Sequence, residues 1–208
     1  MKHALAVLTL LLAACSGGLR SNAPASQTYV LRVTGTPPTP AAARAAAPSL
    51  RIERPSAAPG LRSERIVIMQ PDHRMSYYAG SQWAAELPQV IQELAVERLR
   101  ASGEWSSVVD SESAFASEYF LQITIRRFEA DYTTDAAPTA WVTLDCAIGR
   151  RADHLLLAGF TAQGSASAST NRMSAVVAAF EAAANAALSE VAAGSAATLK
   201  SPPAPSSP

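Results

Sequence analysis

The chain has 208 residues, with 17 Lys+Arg against 17 Asp+Glu, so its formal net charge is zero. That length suits one domain of ordinary size. The charge balance excludes capture of nucleic acid, or of an anionic lipid surface, by electrostatics alone.

Residues 1–14 read MKHALAVLTLLLAA. Lys2 and His3 form a short polar head, and residues 4–12 are an apolar run. The run is too short to cross a bilayer, which takes roughly 20 apolar residues. It has the length of a signal-peptide core. The run ends in Leu12-Ala13-Ala14-Cys15, which looks like the lipobox read by a lipoprotein signal peptidase. Small residues at 13 and 14 admit the extended chain to the peptidase, and the Cys15 thiol takes the diacylglyceryl group. The opposing reading is an ordinary secretory signal with a chance cysteine. The polar Ser16-Gly17-Gly18 after it favours lipidation. Two or more acyl chains, of the palmitate kind, anchor stably where one binds marginally. With Cys15 acylated, Cys146 is the one thiol left, and a disulfide within the chain has no second partner.

Residues 16–26 are small and polar, a flexible tether. Residues 29–33, YVLRV, read as a first strand, and residues 35–48, rich in Pro and Ala, as a loop. Leu50 and Ile52 alternate with Arg51 and Glu53 in a second strand. Residues 65–69, RIVIM, are apolar throughout, which predicts an internal strand. Residues 87–100 switch to helical period, with Leu87, Val90, Ile91, Leu94 and Leu99 on one stripe and Gln92, Glu93, Glu97 and Arg100 opposite. Pro88 suits a first turn and Gly103 a helix end. Residues 119–128 alternate Tyr119, Leu121, Ile123 and Ile125 against Gln122, Thr124 and Arg126. Residues 141–148 set Val142, Leu144, Cys146 and Ile148 on one face, and residues 155–161 follow as the hairpin partner. A second helix is expected over 171–192, with Val177, Phe180, Ala184, Ala187, Leu188 and Val191 as its apolar stripe. This order predicts an α+β fold, a mainly antiparallel sheet with two helices packed on one face. The expected organisation is a signal at 1–14, a lipidated tether at 15–26, a single domain at 27–193 and a disordered Pro/Ser-rich tail at 194–208.

The search for chemistry assigns no catalytic, metal-binding or cofactor-binding residue. His73 and His154 stand apart from other ligand types, and no HExxH, CxxC, GxSxG or GxxxxGK occurs. Asp145 reads as a solvated outer-face residue, and Cys146 as a small buried hydrophobe. The most unusual stretch is residues 75–83, MSYYAGSQW, which concentrates Tyr77, Tyr78 and Trp83 in a chain with 6% aromatics. One reading packs them on the sheet ahead of the helix. The other makes them an exposed partner interface, since Tyr and Trp are favoured at hot spots.

Residues 77–109 resemble the core of the ABC-type transport auxiliary lipoprotein family, which includes the paraquat-inducible protein C type. The resemblance rests on Tyr77, Tyr78, Trp83, Pro88, Ser102, Gly103, Trp105 and Val108. The strands YVLRV, ERIVI, YFLQITIRRFEADY and GFTAQ and the helix AAFEAAANAAL fall in the family's order. It spans roughly residues 28–192. It implies a docking component and not an enzyme, with no cofactor. The implied partner is an MCE-domain protein of an ABC transport system moving lipids between inner and outer membranes. The implied location is the periplasmic face of the outer membrane, which Ser16 after the lipidated cysteine favours. A homo-oligomer stays open. The alternative is an envelope assembly lipoprotein escorting lipopolysaccharide or an outer-membrane secretion machine. A periplasmic hydrolase on a lipid tether is a third reading.

Overall fold

A computed structural model describes residues 26–35, 47–134 and 137–200. Cys15, the signal, most of the tether, the interior of the Pro/Ala-rich loop and residues 201–208 lie outside the described residues.

Nine strands form one mixed sheet. They are β1 (Gln27–Tyr29), β2 (Ser49–Ile52), β3 (Ser56–Ala57), β4 (Arg65–Met69), β5 (Met75–Trp83), β6 (Ser107–Asp110), β7 (Tyr119–Asp131), β8 (Thr139–Arg150) and β9 (Leu156–Ser167). The helices are α1 (Leu87–Ser102) and α2 (Met173–Lys200). The long β7 organises the rest. β2, β3 and β4 line up in parallel along one of its sides, at Leu50↔Tyr119, Ser56↔Thr124 and Val67↔Glu129. β8 runs antiparallel along the other side and β9 antiparallel beyond it. Pro55, which has no N–H to give a ladder, separates β2 from β3. β4 is internal, between β5 and β7, as its continuous apolar run requires. The fold is α+β, and its longest ladders are antiparallel. The parallel pairs along β7 arise because β2, β3 and β4 follow one another down its edge in one direction, and the 111–118 crossover carries the chain from β6, on the far side of β2, to β7.

Both helices cover one face. Leu121, Ile123, Ile125 and Phe128 of β7 and Val142, Leu144, Cys146 and Ile148 of β8 all point into this layer and are buried. A bulge between Ile125 and Arg127 shifts the alternation, so that Phe128 and Ala130 rejoin the buried side. Phe180 of α2 stacks on Phe128 at 5.0 Å between centroids. α2 lies so close to β9 that a Cβ on Gly164 would sit 2.0 Å from the Ala183 carbonyl oxygen. Glycine at that position is what lets a helix rich in alanine approach the sheet. α1 begins with proline in its first turn and ends at Gly103 in the left-handed region, φ 63°.

Several expectations change in detail. Residues 75–83, left without an element by pattern alone, are the strand β5. The first strand covers Gln27–Tyr29 and stops short of Val33. Gln92 is buried, because its Nε2 donates to the Ile52 carbonyl at 2.9 Å and to Ser111 Oγ at 3.0 Å. On α2 it is Val176, and not Val177, that is buried. That helix also runs through Gly194 to Lys200, where a disordered tail is expected from sequence. Ser195 and Ala196 are buried there, so packing extends a helix that periodicity ends at 192.

Candidate docking surface

The opposite face of the sheet carries neither helix. Its residues alternate with the buried set: Gln122, Thr124, Arg127, Glu129 and Asp131 on β7, Trp141, Thr143 and Asp145 on β8, and Thr161 and Gln163 on β9. Charge here is paired both across strands and along β7. Arg126 Nε donates to Asp145 Oδ2 at 2.5 Å, and Thr161 Oγ1 to Asp145 Oδ1 at 2.9 Å. These two hydrogen bonds hold the Asp145 carboxyl below its ordinary range. Arg127 reaches Glu129 at 2.7 Å and Asp131 at 3.3 Å, and its guanidinium lies over the Trp141 ring at 5.1 Å. Partial burial alone would raise the Asp131 pKa, but bonds from Thr133 and the Arg127 charge outweigh it and leave it lowered.

The three aromatics of β5 part company. Trp83 is 1% exposed and sits in the core, edge-on to Phe128 at 5.8 Å and to Phe180 at 5.2 Å. It is therefore removed from the expected partner interface: a strand bulge between β4 and β5 turns its indole beneath the helices. Tyr78 packs half-buried against the core, its hydroxyl 2.8 Å from that of Tyr132, which donates to Asn171 Oδ1 at 2.7 Å. Burial, with the Tyr132 hydrogen bond, pushes its ionisation well above the usual phenol range. Tyr77 is the one of the three on the helix-free side, and it too is half-buried, with Gly60 of the β3–β4 loop close to its hydroxyl. The Arg65 guanidinium lies 3.5 Å from its ring centroid, and its Cα partner is Val67. Beside it Met75 is exposed.

Two features escaped sequence reasoning. Arg51, opposite the buried Leu50 and Ile52, points to the open face and donates Nη1 to the carbonyls of Asp110, Ser111 and Ser113, at 3.3, 3.2 and 3.0 Å. Its Nη2 donates to the Phe115 carbonyl. Arg51 thus pins the 111–118 crossover onto that face. A groove of about 700 Å³ also runs along the solvent side of α1, where Arg54, Arg98 and Arg100 face Glu93, Asp110 and Glu112. Its described lining holds no histidine, cysteine or serine. No local motif marks either feature, because both join residues distant in sequence.

Cys146 is buried, and desolvation with the nearby Asp145 charge pushes its thiol up to about 12. His73 and His154 occupy left-handed positions in the β4–β5 and β8–β9 turns, at φ 61° and 56°. Among the described residues no three His, Cys, Asp or Glu side chains group as a metal site.

The domain is thus two-layered, with one sheet face helix-covered and the other carrying paired charges and half-buried aromatics. The chain belongs to the family of the ABC-type transport auxiliary lipoprotein component, whose sequence profile matches residues 29–192. The crystal structure of protein XCC0632 from Xanthomonas campestris, of family DUF330, is similar at 28% identity and a TM-score of 0.73, covering 84% of this chain and 97% of that one. A second solved structure, of an uncharacterized protein, shares the fold at 13% identity and a TM-score of 0.64, covering 82% and 99%. A third, hypothetical protein CT253 from Chlamydia trachomatis, does so at 9% identity and a TM-score of 0.51, covering 74% and 98%. A search of the curated proteins finds no match.

Proposed function

We propose that this protein is a non-catalytic docking component of an MCE-type ABC transport system, anchored by Cys15 to the periplasmic face of the outer membrane. The observation that carries the reading is the family match across nearly the whole folded domain. The anchor follows from Leu12-Ala13-Ala14-Cys15 and the polar tether behind it. The open face supports a protein partner: with net charge zero there is little long-range steering, so recognition rests on shape, apolar contact and short-range pairing. Tyr77, held flat by Arg65, and Trp141, held by Arg127, are pre-oriented aromatics of the kind that supply binding energy at low entropic cost.

The test is binding of the purified mature chain to the periplasmic region of an MCE protein from the same organism. Tyr77→Ala should weaken the complex by about 2 kcal/mol or more if the ring is a hot spot. Trp83→Ala should instead lower thermal stability and leave affinity per folded molecule unchanged. No measurable binding to the MCE region would refute the assignment.

A further inference from the structure

Among the described residues, three of the five exposed large apolar side chains lie at one end of the sheet. Phe115 is 76% exposed, Leu156 62% and Leu155 41%. Leu155 closes the β8–β9 turn and Leu156 opens β9, and Arg151 N–H donates to the Glu118 carbonyl at 2.8 Å, tying that turn to the start of β7. Phe115 hangs from the crossover that Arg51 holds on the open face, near the level where Arg51 faces Phe120. Phe120 bridges the gap, its ring lying over Gly149, the strand partner of Leu156. These side chains protrude from a turn and a loop, outside a recess of about 400 Å³ lined by Ser117, Glu118, Tyr119, Arg150, Arg151 and Ala152.

We propose that this end of the sheet is a second membrane contact, in which Phe115, Leu155 and Leu156 enter the interface of the leaflet that holds the acylated Cys15. The inference rests on the lipid anchor of the reading above. Three observations select a lipid surface as the occupant. The first is exposure: large apolar side chains carried outward on a turn and a loop suit a deformable interface. The second is charge. Arg150 pairs with Asp153 at 2.6 Å and Arg151 with Glu53 at 3.6 Å, so the end is locally neutral and its contact is apolar. The third is reach. Ser26 leaves the described domain beside Gln82, at the β1 edge, while the turn lies at the β9 edge. Five strand spacings separate the edges by about 24 Å, and the rise along β7 adds about 26 Å, giving a diagonal of about 35 Å. The tether of residues 16–26 extends to about 36–40 Å. Cys15 and the turn therefore reach one leaflet together. The anchor keeps the domain at the membrane, so the contact does not have to recruit the chain by itself. The domain then stands with its β4–β5 turn, beside Met75 and Tyr77, pointing away from the lipid.

The experiment uses the lipidated full chain in zwitterionic vesicles, with an environment-sensitive fluorophore on Ala152→Cys. Cys146 is buried, so labelling is selective. The emission should shift to the blue, be quenched by nitroxides in the acyl chains, and stay unchanged as salt is raised. The triple variant F115S/L155S/L156S should lose both signals, and the same label on Asp72→Cys should stay at its aqueous value. An aqueous signal at 152, or a triple variant that matches the parent, overturns the proposal. So does a blue shift that grows with protein concentration without vesicles, which would mark a contact between copies. No MCE protein is present, so failure here leaves the docking function standing. If instead the label stays aqueous and the triple variant loses MCE binding, the end is a protein contact. Intact mass of the purified chain without acyl groups would overturn the proposal at its root.

Discussion

The two faces of the same strands follow different rules. On β7 the helix-covered side holds Leu121, Ile123, Ile125 and Phe128, interlocked with Phe180 and Trp83. The open side holds Thr124, Arg127, Glu129 and Asp131, joined by ion pairs and one guanidinium–indole contact. The first face is held by volume, and any lost atom leaves a hole. The second is held by pairwise electrostatics in contact with water, where single pairs contribute little. Stability therefore resides mainly under the helices.

Substitutions break or sharpen this contrast. Phe180→Ala should cost the most, about 3–5 kcal/mol, because it removes the ring that meets both Phe128 and Trp83. Leu144→Ala and Ile123→Ala should follow at about 2–5 kcal/mol. Chemical denaturation measures all three, and near-neutral values would mean the register of β7 and β8 is off by one residue. Gly164→Ala forces a Cβ against the Ala183 carbonyl and should cost about 1–3 kcal/mol through displacement of α2.

The open face should respond more weakly. Arg127→Gln strands the Glu129 carboxylate, whose side chain is 7% exposed, and should cost about 1–3 kcal/mol. Asp145→Asn leaves Arg126 in water and should cost about 0–1 kcal/mol. The same face sets the acid limb of stability. Asp145 and Asp131 titrate lower in the folded chain than the ordinary 3.8. Their stabilisation is present above that value and lost as pH falls through the folded pKa. Thermal melts taken below pH 3.8 should therefore show a falling midpoint. The fall should be shallower in a double Arg126→Gln, Arg127→Gln variant.

The buried face was the legible one. Alternation from Tyr119 onward identifies β7 and its core side, and the same rule places Leu144, Cys146 and Ile148. The pattern fails where geometry interrupts it. The bulge at Arg126 moves Phe128 to the buried side, and the one between β4 and β5 separates Trp83 from Tyr77. β3 and β6 are too short to show a period. Gln92 looks like a solvent residue on a helical wheel, because its partners, Ile52 and Ser111, lie on other elements. The clasp of Arg51 over the crossover was invisible for the same reason. Of the candidate interface, Tyr77 and Tyr78 are both half-buried, on opposite faces of β5, and Trp83 belongs to the core.

The central claim is that the helix-free face receives the transporter's periplasmic component. A photocrosslinking residue at Tyr77 on the open face, compared with one at Ala182 on the exposed side of α2, tests it in intact cells. The account predicts capture of the MCE protein from position 77 and not from position 182. Capture from 182 alone, or from neither position while the lipidated protein is present at normal levels, would contradict it.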